Sequence, residues 1–550
     1  MKKLIPFTLL AAAVICSAEQ PSQTAGPLEV RGGVQLQSLG ETVIPPRIGI
    51  AGQMSLTLPD VLQRVLANDP DLEISRIQLE EADYSVTGAK GFYDPVFGAL
   101  VQRSRAVTPI ASIIGGSADG KLTSKEYDLN PSITGSSPWL GGSYTLTFNN
   151  AQQITDSTFT TLNPQYPASV SLNLTQPLWR GLHFDNGRYQ LQVARKNVNL
   201  SREQLRQQVI AVVTTAIQYY WELDYAAHNL DVQAEAVRLA LQQFESNRRQ
   251  AEQGILAPID VVAAQTQVAT FQQDLFLAQQ ALTTAENNLK TLMLPGRTDP
   301  LWGTALVPET EPDPNIVPPT LSEAIRQALA TRPELSENLI NLEINRLALK
   351  QTDEATKPQI NAIATLTAAG LAGTPVTTSP FSIPGFSFGP TVLPPLLVGT
   401  YGQSLSNIVA GNFSTAKIGL QISLPLRNRT AQANLAVSMA EKRRLEVVRN
   451  QLGMAIEADV RNALQTVDSA RARYDAAMLA SRSANEQYAS EQRQFQAGTS
   501  TVFLVLQRQT DLITARSREI RARADLAESV ANLDRATART IEAHQISLAP

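Results

Sequence analysis

The 550-residue chain has one cysteine, Cys16, and three histidines, His183, His228 and His544, which lie far apart in sequence. A lone cysteine excludes an intramolecular disulfide and a thiolate metal site. Histidines so dispersed read as isolated surface or interface residues rather than as a metal centre or proton relay. No stretch offers the roughly 18 uninterrupted apolar residues that a membrane-spanning helix needs, so any entry into a bilayer must be made by strands. Neither sign of charge dominates, with 46 Lys and Arg against 50 Asp and Glu, and no basic stripe or aromatic stacking pattern occurs. That excludes a nucleic-acid partner. No catalytic constellation is present either: no clustered His and carboxylate ligands, no phosphate-binding glycine loop and no activated nucleophile. An enzyme, a cofactor or a bound metal is therefore not expected.

What is present begins with a secretory leader over residues 1–18. Lys2 and Lys3 give a positive start, Leu4 opens an apolar stretch, and Cys16-Ser17-Ala18 resembles a small-residue cleavage site. The mature chain is expected to begin near Glu19. A rival reading makes Cys16 a lipidated N-terminus, but Ile15 precedes it where lipoprotein signals want Gly, Ala or Ser. Residues 19–55 form a polar segment rich in Gly and Pro with no assignable structure.

The body is two copies of one unit. Residues 58–72 (LPDVLQRVLANDPDL) match 321–335 (LSEAIRQALATRPEL) without a gap, placing Pro70 on Pro333 and Pro95 on Pro358. The first copy spans 56–293 and the second 319–545. Between them, 294–318 is a proline-rich linker expected to propagate neither helix nor sheet. Each copy reads as helix, strands, long helix, tight turn, helix.

In the first copy, Leu205, Val209, Val212, Ala216, Tyr220, Leu223 and the apolar positions that follow are spaced by three and four, as are Leu445, Val448, Leu452, Ile456 and Val460 in the second. This is coiled-coil spacing. A helix over 187–251 would extend on the order of 98 Å, far more than a globular core uses. Alanine-rich seams and polar flanks suit helices side by side in a cylinder around water. A filamentous coiled coil gives the same spacing, so a structural or adhesive coiled-coil surface protein is the alternative.

The strands separate the two readings. Val170, Leu172 and Leu174 alternate with Ser171, Asn173 and Thr175, and Ile418, Leu420 and Ile422 with Lys417, Gly419 and Gln421. One apolar and one polar face is the pattern of a transmembrane barrel strand, and equally of a half-buried soluble strand. Weaker partners lie at about 92–103 and 359–369. Residues 127–133 and 144–149 suggest an added hairpin beyond the membrane. Four wall strands cannot enclose a lumen, so identical copies must complete it, and three chains supply twelve. Pro177 and Pro425 fall where strand becomes helix.

With these pieces in order, the chain resembles the TolC family of outer-membrane efflux proteins over nearly its whole mature length. The resemblance is carried by FYDPVF at 92–97, LTQPLWRG at 174–181, ISLPL at 422–426, EQGILAPIDVVAAQ at 252–265 and FQAGTSTVFLVLQRQ at 495–509. It implies an α+β membrane protein: a trimeric twelve-stranded transmembrane β-barrel in outer-membrane lipid, continued by a long α-helical barrel into the periplasm. Such a homotrimer conducts passively, as the exit duct of a tripartite efflux pump or a type I secretion system. Its implied partners are a periplasmic adaptor (membrane fusion protein) and an inner-membrane RND or ABC transporter. Gly254 and Gly498 would mark the helix tips, with Ile255 and Thr499 among the adaptor-docking residues. At the entrance, Leu504 and Gln507 stand where the family carries an acidic pair, which implies an apolar rather than a charged constriction. Asp260 matches a latching carboxylate, although the positions of its family partners hold Phe495 and Ser500. The transported cargo is not encoded in these features.

Overall fold

The computed structural model describes residues 45–111, 120–157, 160–314, 316–376 and 393–547. The leader over 1–18, Cys16 and most of the 19–55 segment lie outside the described residues. Both copies open alike: α1 (Leu58–Asn68) and α5 (Leu321–Thr331) are each preceded by a Thr that closes a capping box, Thr57 with Asp60 and Thr320 with Glu323. Pro70 and Pro333 then sit at the first turn of α2 (Pro70–Lys90) and α6 (Pro333–Thr356), where a missing N–H does no harm.

The long helices are continuous. α3 (Asn186–Glu252) has 67 residues and α8 (Arg429–Gln496) has 68, so each extends on the order of 100 Å. Two shorter helices pack along each: α2 and α4 (Pro258–Met293) on α3, α6 and α9 (Val502–Ala536) on α8. The chain ends with the single turn α10 (Thr540–Ala543). The seams are buried at the residues of the three-four spacing, including Val209, Ala216, Tyr220, Leu223, Ile456, Val460 and Val467.

The strands form one six-stranded antiparallel sheet in the order β2 (Val96–Pro109), β3 (Lys121–Ser136), β4 (Ser143–Thr155), β5 (Leu162–Pro177), β7 (Gln359–Pro375), β8 (Phe413–Ser423). Four wall strands per chain had been expected, with a hairpin at 127–149 beyond the membrane. The structure corrects this: β3 and β4 lie inside the sheet, between β2 and β5, and are as long as their neighbours. The first partner strand begins at Val96 rather than near Phe92, because 91–93 form a 3-10 turn. A helix absent from the sequence reading, α7 (Tyr401–Val409), packs over the outer ends of β5 and β7.

The linker also differs from expectation. Residues 304–308 form a strand, β6 (Thr304–Pro308), parallel to β1 (Gly52–Leu56). Its proline-free Thr-Ala-Leu-Val run, bounded by Pro300 and Pro308, is long enough for a short strand. Beside it, Glu286 and Lys290 of α4 are fully buried. Glu286 accepts from Arg47 at 2.7 Å and from the Leu306 N–H at 3.2 Å, while Lys290 donates to the Trp302 carbonyl at 3.1 Å. One buried carboxylate thus fastens the N-terminal segment and the linker to the helices. Glu286→Ala leaves two cations without their counter-charge, a loss of about 3–5 kcal/mol. A lowered thermal midpoint and early proteolysis at 294–318 should report it.

Candidate channel wall and periplasmic entrance

Strand register separates two faces. Phe97, Ile133, Leu146, Leu172, Leu366 and Ala416 are consecutive cross-strand partners in one row through all six strands. The row one residue away, on the opposite face, is Gly98, Ser132, Thr147, Ser171, Thr367 and Thr415. The polar face is stitched by side chains: Ser171 to Thr367 at 3.1 Å, Thr365 to Asn173 at 2.9 Å, Gln165 to Gln153 at 2.6 Å and Gln153 to Glu126 at 2.7 Å. The apolar face is covered only at its outer end, where α7 lies against Ala168, Gly370 and Ala372 of β5 and β7. Ile418 is 88% exposed and Val101 75%, and Val170 is partly buried. Below α7, an apolar face left open among the described residues and a hydrogen-bonded polar face are what lipid on one side and water on the other require.

The hairpin is part of this wall. Its 137–142 turn meets the start of α3, where Arg188 donates to the Pro138 carbonyl at 3.1 Å and Gln176 to the Leu140 carbonyl at 2.8 Å. Asp185 caps α3 by accepting from the Arg188 N–H at 2.7 Å. Neither Asp185 nor Arg188 was singled out from sequence, although Asp directly before a helical run is a capping signal. Pro177 ends β5 at this junction, and the next N–H, of Leu178, donates to Ile360 at 2.7 Å. Pro425 lies just beyond β8, before α8.

At the other end each long helix reverses in the same way. Gly254 has φ of 76° and Gly498 of 75°. The following N–H groups, of Ile255 and Thr499, reach back five residues to the carbonyls of Gln250 and Gln494, at 2.9 and 3.0 Å. This is the glycine-terminated helix stop in which a left-handed residue lets the chain turn. Beyond the two turns, Ile255, Ile259 and Phe503 are 67%, 69% and 72% exposed, and Leu504 and Gln507 also face outward. Gln267 of α4 donates to Thr510 of α9 at 3.1 Å, joining the tips of the two copies. Asp260 lies in the first turn of α4. Its carboxylate makes no hydrogen bond or ion pair among the described residues. Ser500 instead donates to Glu491, and Phe495 packs with Tyr488 and Val505.

Midway along the tunnel helices, Arg521 pairs with Glu222, with Asp525 at 2.7 Å and with Glu528 at 3.6 Å. Burial pushes the Glu528 carboxyl up to about 7; Arg521 opposes the rise, and Glu222 and Asp525 add to it. The folded protein therefore holds a proton that the unfolded chain releases near 4.5. Its stability contribution is complete below that pH, falls as pH rises to about 7 and is gone above it. Glu528→Gln should flatten this decline, raising the melting temperature at pH 8 relative to wild type and leaving it nearly unchanged at pH 4.

The sequence matches the family profile described as outer membrane efflux protein over residues 61–293 and 324–539. No curated protein matches it. Among solved structures, CusC is similar at a TM-score of 0.62 and 16% identity, covering 91% of this chain and 99% of that one. The outer-membrane channel OprN gives 0.61 and 13%, covering 87% and 89%. The CmeC outer membrane channel of Campylobacter jejuni gives 0.59 and 16%, covering 89% of each chain.

Proposed function

This chain belongs to the outer membrane efflux protein family, and on that premise we propose that three identical copies join edge to edge, β8 of one to β2 of the next, into an eighteen-stranded barrel. The coarse function follows from the family: an outer-membrane efflux channel of tripartite pumps, TolC-like in fold, with a periplasmic extension. TolC-family channels work as trimers. A coiled-coil surface protein leaves the matched strands and repeats without a purpose.

One observation carries the trimer reading: among the described residues the six-stranded sheet is open, with β2 and β8 unpartnered on their outer edges. Unpaired backbone groups in lipid cost several kcal/mol each, so the edges need partners, and a symmetric ring supplies them. Widths support three copies of six strands. At about 4.8 Å spacing and about 40° tilt, six strands cover an arc of roughly 38 Å. The four helices that meet the sheet, α2, α3, α6 and α8, cover roughly 32–40 Å at interaxial distances of 8–10 Å. Four strands would cover only about 25 Å.

At the periplasmic end, the exposed apolar residues around Gly254 and Gly498 form the docking surface for a periplasmic adaptor, itself bound to an inner-membrane RND or ABC transporter. Leu504, repeated in the trimer, forms the constriction, with Gln507 one turn further in and Asp260 beside it. Outer-membrane fractions should yield heat-modifiable trimers that salt does not release. Extraction by salt alone as a monomer contradicts the proposal.

A further inference from the structure

The apolar face of the sheet is not apolar to its outer rim. Beyond Val101 and Leu129, the same face carries Arg103 and Arg105 on β2 and Lys125 on β3, all exposed. Arg105 and Lys125 are direct cross-strand partners, and Arg103 lies over the Tyr127 ring, 5.2 Å from its centroid. Like charges placed opposite each other destabilise a strand pair unless an anion lies between them. No side-chain acid answers them on this face: Arg103, Arg105 and Lys125 make no ion pair among the described residues. The next rungs across the sheet hold Gln152 and Ile154. Further out on this face, Asp156 is engaged by the Thr123 N–H at 2.7 Å. Glu126 and Asp128 alternate onto the opposite, polar face, where Gln153 binds Glu126. Within β2 and β3 the cations Arg103, Arg105 and Lys125 thus stand on one face and the acids Glu126 and Asp128 on the other.

The level of the cluster says what meets it. Tyr127 shares its rung with Gln152 and, through β4, lies in line with Tyr166, whose ring packs edge-on against Tyr401 at 6.3 Å. Such an aromatic girdle sits at the boundary between hydrocarbon and headgroups. Arg103 stands at that boundary and Arg105 and Lys125 just above it, at the strand ends remote from the helices. Resting on the barrel reading above, we infer that Arg103, Arg105 and Lys125 form a binding site for the phosphate groups of an anionic lipid in the outer leaflet, one site per subunit around the barrel.

The guanidinium fork of Arg105 and the ammonium of Lys125 can share one phosphate between adjacent strands, and Arg103, held by its stacking on Tyr127, reaches a second. The site also neutralises β2, the edge strand where two subunits meet, so bound lipid should strengthen the seam between subunits.

The test uses the full-length trimer in detergent, titrated with lipid A and read by native mass spectrometry, against a variant carrying Arg103→Gln, Arg105→Gln and Lys125→Gln. All three positions are exposed, so the variant keeps the sheet intact, and an Arg105→Lys variant checks that charge matters. The wild-type trimer should retain lipid A about a hundredfold more tightly than the triple variant, with Arg105→Lys near wild type and phosphatidylcholine ignored by all. Equal retention of lipid A by the triple variant overturns the inference. So does full displacement of lipid A by millimolar inorganic phosphate, which would make the cluster a free-anion site. The same spectra report the number of subunits: a monomeric wild type that binds no lipid sinks the barrel reading, whereas a trimer with unselective binding sinks only the lipid site.

Discussion

Replacing Leu504 by Ser should raise the single-channel conductance of the isolated protein in planar bilayers several-fold. The residue stands in the first turn of α9, held in place because Thr501 caps that helix. Its neighbours Val502, Val505 and Leu506 are buried, so α9 is fixed while Leu504 and Phe503 point away from the subunit's own core. A trimer brings three such side chains to one level. A narrow apolar ring closes by expelling water, with no charge involved. A hydroxyl at this position rewets the ring without changing the fold. Leu504→Asp should do more, producing cation selectivity and block by multivalent cations, neither of which the wild type should show. Asp260→Ala provides the comparison. Its carboxylate has no hydrogen bond among the described residues, so unchanged conductance in that variant removes Asp260 from the entrance and leaves Leu504 as the constriction. Unchanged conductance in Leu504→Ser places the narrowest point elsewhere.

The second large effect belongs to the hairpin. Excising residues 110–161 and joining β2 to β5 through a short turn should leave a folded trimer with a barrel about two-thirds as wide, since diameter grows nearly linearly with strand number. The register allows this junction. Phe97 and Leu172 occupy the same row, so bringing β2 onto β5 keeps apolar beside apolar and preserves the antiparallel sense. In the Leu504→Ser background, where the entrance no longer limits flow, polymers added from the outer side should be excluded at a clearly smaller size than in the intact protein. An unaltered exclusion size contradicts a wall built from all six strands.

The hairpin also shows where sequence reasoning stops. Helix lengths, the internal duplication and the glycine tips were legible because each leaves a local mark: a three-four spacing, a gapless match, a Gly between two helical runs. β5 and β8 were legible because their alternation is clean. In β3, Lys121, Lys125, Glu126 and Asp128 interrupt the pattern, and only 127–133 reads as strand, in a hairpin beyond the membrane. The structure separates them, placing Lys125 on the face of Leu129 and Ile133 and Glu126 and Asp128 on the face of Asn130 and Ser132. Charges on both faces of one strand break the apolar alternation that marks β5 and β8. The pairing of β1 with β6 was illegible for another reason: each strand has five residues and the two lie about 250 positions apart, so no local signal links them. The role of Glu286 as a buried fastener for that region could not be read from a helix position that looks solvent-facing in sequence.

All of these outcomes depend on the open sheet being completed by its own copies. The most direct measurement is a three-dimensional density map of the protein in lipid nanodiscs at a resolution that separates strands. The account predicts a three-fold particle with eighteen strands around one continuous lumen, each β2 hydrogen-bonded to the β8 of a neighbour and each 137–142 turn resting on the start of α3. A twelve-stranded wall with β3 and β4 folded outside it, or a sheet closed within one subunit, would contradict it.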